Sequence, residues 1–292
     1  MPIRPRRSVL YMPGSNTRAL EKAKSLPADA LILDLEDAVA PDAKAVARDQ
    51  VCAAVKAGGY GRRELIIRIN ALDTPWGKAD LDAAVAAGPD AILLPKPGNG
   101  ADIVRVSETL ARAPEKTRVW AMIETPMAIL NVQDIAAASR LAGARLACFV
   151  MGTNDLVKET RADLSASRRP ALYWLSATVT AARAYGLDVL DGVYNNFKDT
   201  DGFRRECVHG RALGFDGKTL IHPDQVAISN EVFAPPEAEV AFARTIIAAF
   251  DQPEHKGKGV ITVEGRMVEL LHAEMARRTV AIAEAIDEMR AP

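Results

Sequence analysis

Eight short apolar runs recur along the chain, most of them followed by a stretch of helical period, and this alternation limits the fold more than any other feature. The runs span 8–12, 30–35, 65–70, 91–95, 119–124, 146–152, 188–191 and 217–221. Helical stretches fit 17–25, 43–57, 77–87, 102–113, 127–141, 167–185, 200–213 and 223 onward. Buried parallel strands read as near-continuous apolar runs, and parallel neighbours need a crossover that is usually a helix. Eight such units in roughly 230 residues predict an α/β fold, a (β/α)8 TIM barrel. A doubly wound open sheet is the runner-up, but it normally uses fewer strands.

The alternation stops after about Phe233. Pro235-Pro236 opens an acidic helical stretch over 237–250, followed by a polar loop over 251–258. A short strand or turn at 259–263 and a last helix over about 267–289 close the chain. This divides the protein into a barrel over 1–235 and a small C-terminal helical segment over 236–292.

Bulk properties exclude several classes. A formal net charge of −1, with 26% charged residues of both signs, gives no footprint for nucleic acid or a membrane surface. No run of 18 or more apolar residues is present, and the basic start 1–7 has no apolar segment behind it of signal-peptide length. Three scattered cysteines, Cys52, Cys148 and Cys207, suggest reduced thiols. The expectation is a cytoplasmic protein. The four histidines include no pair at i,i+4 spacing, which disfavours a histidine zinc site.

A barrel carries its chemistry at the C-terminal ends of its strands. Read in order, those ends offer Tyr11–Asn16, then Asp34, Glu36 and Asp37, then Arg68 and Asn70. Lys96, Glu124, Asp155, Asp191 and the 218–223 stretch follow. Glu124 and Asp155 end adjacent parallel strands, so both converge on one face. Two hard oxygen ligands at a cleft mouth suit Mg²⁺, or Mn²⁺, when substrate and water complete the octahedron. Arg68 and Lys96 oppose the acids, and a guanidinium can hold a carboxylate through two parallel hydrogen bonds. Any one strand-end acid is as readily a helix cap, and Arg68 could simply pair with Glu36 or Asp37. Gly98 and Gly152 leave room for a backbone N–H to approach a ligand. Gly14-Ser15-Asn16 could cradle a phosphate at a helix start or be a plain loop.

These motifs resemble the citrate lyase β-subunit-like CoA-ester lyases, which include malyl-CoA and citramalyl-CoA lyases of the HpcH/HpaI aldolase superfamily. The resemblance runs through 7–14, Leu33-Asp34-Leu35-Glu36-Asp37-Ala38-Val39-Ala40-Pro41 with Lys44 and Arg48, and Arg68-Ile69-Asn70. It continues in order through Leu94-Pro95-Lys96, Ile123-Glu124-Thr125-Pro126, Gly152-Thr153-Asn154-Asp155-Leu156 and Ile221-His222-Pro223-Asp224-Gln225.

The resemblance implies a barrel that binds Mg²⁺ through Glu124 and Asp155, with Arg68 facing the carboxylate or carbonyl of a 2-oxo acid. Glu36, Asp37 and Lys96 join Arg68 as expected substrate-binding residues. It further implies a homotrimer, or a dimer of trimers, whose C-terminal segment caps a neighbour's site. The implied activity is carbon–carbon cleavage of a β-hydroxyacyl-CoA into an acyl-CoA and a 2-oxo acid. Where the family carries Gly-Lys-Met-Ile-Asp, this chain has Gly265-Arg266-Met267-Val268-Glu269. Glu269 therefore stands at the position of a proposed acid–base aspartate, one methylene longer. The same residues suit a malyl-CoA-type thioesterase, in which water takes the acyl group. A CoA-independent aldolase would not need residues 236–292, and a non-catalytic acyl-CoA binder is opposed by the intact Glu124/Asp155 pair.

Overall fold

The computed structural model describes residues 3–290. Residues 1, 2, 291 and 292, which the sequence reading assigned to the outer ends of the two segments, lie outside the described residues. Two compact units are present among the described residues, one of 6–230 and one of 3–5 with 231–290.

In the larger unit eight parallel strands close into a barrel in chain order. They are β1 (Ser8–Pro13), β2 (Ala30–Asp34), β3 (Glu64–Arg68), β4 (Ala91–Leu94), β5 (Arg118–Ile123), β6 (Leu146–Met151), β7 (Asp188–Asp191) and β8 (Gly217–Leu220). The helices between them are α1 (Thr17–Ala23), α2 (Lys44–Ala57), α3 (Gly77–Ala87), α4 (Gly100–Thr109), α5 (Pro126–Leu130), α6 (Val132–Ala137), α7 (Thr153–Thr160), α8 (Leu172–Tyr185) and α9 (Thr200–Leu213). A further helix, α10 (Gln225–Phe233), follows β8. The TIM barrel expected from the alternation is the fold.

Alternate residues of β1 to β7 form one buried cluster that includes Val9, Ile32, Ile66, Leu93, Trp120, Met122, Val150 and Leu190. A strand shows the same face every second residue, so this set fills the barrel interior. The period fixes what lies at each end. Glu64 and Asp188 sit two residues before Ile66 and Leu190. There Arg6 donates to Glu64 at 2.7 and 2.8 Å, pairs with Asp188, and lies 5.0 Å from the centre of the Trp120 ring. That layer closes the N-terminal end. Asp34, Arg68 and Glu124 come two residues after Ile32, Ile66 and Met122, and so point inward at the C-terminal end.

Three local expectations need correction. The stretch 127–141 is not one helix: α5 and α6 are broken at Asn131, whose backbone leaves the helical region while its side chain donates to the Gly98 carbonyl at 2.7 Å. Asp155 does not end a strand, because β6 stops at Met151 and Asp155 lies in the first turn of α7. A carboxylate is favoured there by the helix dipole. The last helix does not begin near 267.

The smaller unit instead holds α11 (Glu237–Phe250), an antiparallel hairpin of β9 (Val260–Val263) and β10 (Arg266–Glu269), and α12 (Leu270–Arg290). Glu264 and Gly265 both have positive φ, 48° and 76°, as a two-residue primed turn requires. Ile261, Val263 and Val268 pack with Ala243, Ile246, Ala273 and Ala276 as this unit's core. All three cysteines are free thiols, with Cys148 and Cys207 buried. No helix among the described residues is long and apolar enough to cross a membrane.

Candidate active site

The barrel's C-terminal end brings Glu36, Asp37, Arg68, Lys96, Glu124 and Asp155 into one connected network. Its base is an ion pair that the sequence reading overlooked. Asp34 accepts from Arg68 Nε at 2.6 Å and Nη2 at 2.7 Å, and also from the backbone N–H groups of Glu36 (2.9 Å) and Ala38 (3.0 Å). Arg68 Nη1 contacts Glu36 Oε2 at 2.8 Å and Asp37 at 3.1 Å, and the Tyr11 ring lies 4.9 Å from its guanidinium carbon. Three of the five guanidinium N–H groups are therefore directed at carboxylates, two at Asp34 and one at Asp37, and Nη1 also reaches the Met122 sulfur at 3.8 Å. Burial would raise the Asp34 carboxyl, but Arg68 and the two backbone donors outweigh it and hold its pKa below the usual range. Lys44 reaches under the same turn and donates to the Leu35 and Glu36 carbonyls at 2.8 and 2.7 Å, which fixes the backbone that presents Glu36.

Lys96 sits among the other acids. It lies between Pro95 and Pro97 with φ +50°, a left-handed conformation that costs a non-glycine residue about 1–2 kcal/mol. That backbone aims its N–H at Glu124 Oε1, 2.9 Å away, while Nζ donates to Glu36 Oε1 at 2.9 Å. Nζ also lies 3.8 Å from Glu124 Oε1 and 3.7 Å from Asp155 Oδ1. Burial would lower the Lys96 pKa, yet Glu124, Glu36 and Asp155 together hold it raised.

Glu124 is fully buried, and its Oε2 has no hydrogen-bond partner in the protein. Burial first, and then the charges of Glu36 and Asp155, push its carboxyl up to about 8 against the pull of Lys96 and Arg68. Gly152 makes this packing possible: a Cβ there would stand 2.2 Å from Glu124 Cβ and 2.8 Å from Oε2. The space at Gly152 is thus filled by Glu124, and the Gly152 N–H donates to the Ile123 carbonyl. The Gly98 N–H is likewise taken, by Asp102. At Gly14-Ser15-Asn16, Asn16 caps α1 through the Ala19 N–H, and the Gly14 N–H bonds the Asp34 carbonyl.

An orphaned, buried carboxylate oxygen next to a second carboxylate fits a hard divalent cation. Among the described residues no cluster of three or more His, Cys, Asp and Glu side chains is placed to hold a metal. An ion held by Glu124 and Asp155 would have two protein ligands, which would leave room for water and substrate and would suit Mg²⁺ better than a caged structural ion. Glu269 belongs to the smaller unit, at the end of β10, where its N–H donates to His272 Nδ1 at 3.0 Å.

Asp34 and Tyr11 stood among the expected strand ends without a partner assigned; their meeting with Arg68, and the place of Met122, were reachable by the period-two rule, since each shares the inward face of its strand. The role of Gly152 toward Glu124 was not, because it is a contact between two strands.

A closed parallel barrel with a carboxylate-rich C-terminal mouth defines the class, a TIM barrel of an enzyme family. The chain belongs to the HpcH/HpaI aldolase/citrate lyase family, whose model matches residues 7–223. It is 50% identical over 287 residues to a (3S)-malyl-CoA thioesterase of Cereibacter sphaeroides, covering 98% of each chain. It is 36% identical to the citrate lyase β subunit of Escherichia coli, covering 96% of this chain and 94% of that one. Its fold matches the crystal structure of CitE from Mycobacterium tuberculosis in complex with magnesium, acetoacetate and coenzyme A. That match has a TM-score of 0.73 and 29% identity, over 94% of this chain and 97% of the other.

Proposed function

We propose that this protein is a Mg²⁺-dependent enzyme of β-hydroxyacyl-CoA thioesters and that it hydrolyses a malyl-CoA-type substrate. The observation that carries this reading is the 50% identity to a (3S)-malyl-CoA thioesterase along 98% of both chains. The acid network at the barrel mouth gives it a chemical basis. In the reaction water adds to the acyl carbon, the C–S bond breaks, and the CoA thiolate leaves and takes up a proton, giving malate and free CoA. The second reading is carbon–carbon cleavage to an acyl-CoA and a 2-oxo acid, favoured by the likeness to citrate lyase β subunits.

Glu124 and Asp155 would hold the ion, with Mn²⁺ as a substitute. When bound, Mg²⁺ supplies Lewis-acid polarisation of a substrate oxygen. Lys96, whose side chain is partly exposed, and the part of the Arg68 guanidinium not bonded to Asp34 and Asp37 present positive charge to a substrate carboxylate. The pairing with Asp34 keeps the Arg68 plane fixed, so this electrostatic contribution needs no reorganisation. Glu36, raised by burial against the opposing pull of Arg68, and Asp37 complete the binding wall.

Glu269 is our candidate acid–base group. It would be delivered by the 236–292 segment to the barrel of another subunit in a homotrimer or dimer of trimers. The cytoplasm, where CoA thioesters are made, is the expected location.

The deciding experiment incubates the protein with malyl-CoA and MgCl₂ and follows free thiol and glyoxylate separately. Thiol without glyoxylate supports hydrolysis. Glyoxylate with the thioester retained supports cleavage and refutes the first reading. Neither product, with chelator-insensitive behaviour, refutes both. Mixing Glu269→Gln with Arg68→Ala protomers tests the shared site: recovered activity is expected, and none would remove Glu269 from the mechanism.

A further inference from the structure

Lys96 is the residue whose placement the reading above leaves least explained. Its ammonium stands at hydrogen-bond distance from Glu36 and within 3.8 Å of both Glu124 and Asp155. A Mg²⁺ ion bound by those last two carboxylates would sit about 2.1 Å from each ligand oxygen. It could then lie no more than about 6 Å from Nζ, as the ligand distance and the measured contacts require. Two cations that close in a partly desolvated site repel strongly.

The protein has also spent backbone strain to put Lys96 there, since only Lys96, Arg161 and Glu264 among the non-glycine described residues have positive φ. Arg68 offers no substitute, because its guanidinium is committed to Asp34, Glu36 and Asp37. Lys96 is free to yield: its side chain is 31% exposed and carries a flexible four-carbon stem.

We propose that Lys96 and the divalent cation compete for the Glu36–Glu124–Asp155 carboxylates, so that Lys96 is a built-in counter-charge that sets the metal affinity. This rests on the assignment of Glu124 and Asp155 as metal ligands. A metal ion must displace the ammonium or bind against it. Metal affinity is therefore held below what the two carboxylates alone would give. A residue that merely braced Glu36 and Glu124 would have the opposite effect, since its loss would loosen the ligands.

Calorimetric titration of MgCl₂ into the full-length protein separates these outcomes. Lys96→Met removes the charge at similar length. Lys96→Gly removes it while suiting the left-handed backbone, which keeps the test open if the methionine variant does not fold. Lys96→Arg keeps the charge. Both neutral variants should bind Mg²⁺ at least ~10-fold more tightly than the wild type, the scale expected when one close like charge is deleted. Melting in EDTA should occur at a lower temperature for both, with a larger rise on adding Mg²⁺. Lys96→Arg should stay within a few-fold of wild type. Equal or weaker binding in the neutral variants, with wild-type binding intact, overturns the competition while leaving the metal site standing. No Mg²⁺ binding by any of the proteins overturns the metal assignment and the competition with it.

Discussion

Replacing Asp34 by Asn removes the partner that fixes Arg68 and changes almost nothing in volume. In the native protein the Asp34 carboxylate is fully buried and accepts four hydrogen bonds, two of them from a guanidinium that is itself only 5% exposed. Each Asp34 oxygen accepts one backbone N–H and one Arg68 N–H, Oδ1 from Glu36 and Nε, Oδ2 from Ala38 and Nη2, so an asparagine keeps only one such pair through its carbonyl oxygen. Its amide nitrogen then faces the other pair, so one charge-assisted bond and one backbone bond both become donor–donor contacts. Breaking a buried ion pair by removing one partner costs about 3–5 kcal/mol. The low end applies here, because Glu36 and Asp37 still contact Arg68. A domain of this size loses about 2–4 °C of Tm per kcal/mol, so a fall of at least ~6 °C is expected.

The pH dependence carries a second signature. The folded Asp34 carboxyl lies below its unfolded value, so its contribution is complete above pH ~4 and is lost as the pH falls toward the folded value. The gap between wild type and Asp34→Asn should therefore close in acid. Urea denaturation monitored by circular dichroism at several pH values measures both effects. Asp37→Asn is the control: its side chain is 63% exposed, and loss of a surface pair should cost ~1 kcal/mol or less. A cost below ~1 kcal/mol for Asp34→Asn, or a gap unchanged in acid, would refute the view that Asp34 anchors Arg68.

Glu124→Gln should abolish Mg²⁺ binding by calorimetry yet stabilise the protein in EDTA near pH 8. A carboxyl raised to about 8 destabilises the fold progressively as pH rises from its unfolded value to that point, at ~1.4 kcal/mol per unit; a wild type that is more stable than the variant at pH 8 without metal would contradict this. Gly152→Ala should push Glu124 aside and weaken Mg²⁺ binding ~10-fold or more, since its Cβ would meet Glu124 Cβ at 2.2 Å; unchanged affinity would show that Glu124 is not a ligand. Lys218→Met should cost about 3 kcal/mol in urea, the low end for breaking a buried ion pair, because Lys218 is wholly buried between Asp191 at 3.0 Å and Glu206 at 2.6 Å, while Arg168 still holds Asp191 through two hydrogen bonds and lies 3.7 Å from Glu206. A cost under ~1 kcal/mol would mean that water or Arg168 replaces it.

The sequence by itself determined the barrel. Eight apolar runs separated by helical stretches leave a parallel sheet little choice but closure, and the strand ends that follow carry Glu36, Arg68, Lys96 and Glu124 to one side by connectivity alone. The break of α5 from α6 and the Glu264-Gly265 hairpin were hidden for a local reason. Asn131 leaves the helix to bond the Gly98 carbonyl, a residue 33 positions away, and the four-residue β10 is too short for alternation to distinguish it from a helix start.

What only the tertiary structure decided is which charges meet. Asp34, Glu36 and Asp37 are three acids within four residues. The register that sets Asp34 beside Arg68 on the inward face gives Asp34 the bidentate bond and leaves Glu36 shared with Lys96. Glu124 is buried and short of a partner because Gly152, on the neighbouring strand's exit, has no side chain to hold it off. A pattern of residue types encodes face and end, since both follow from period and connectivity. Partner choice depends on distances between strands tens of residues apart, and those exist only once the barrel has closed.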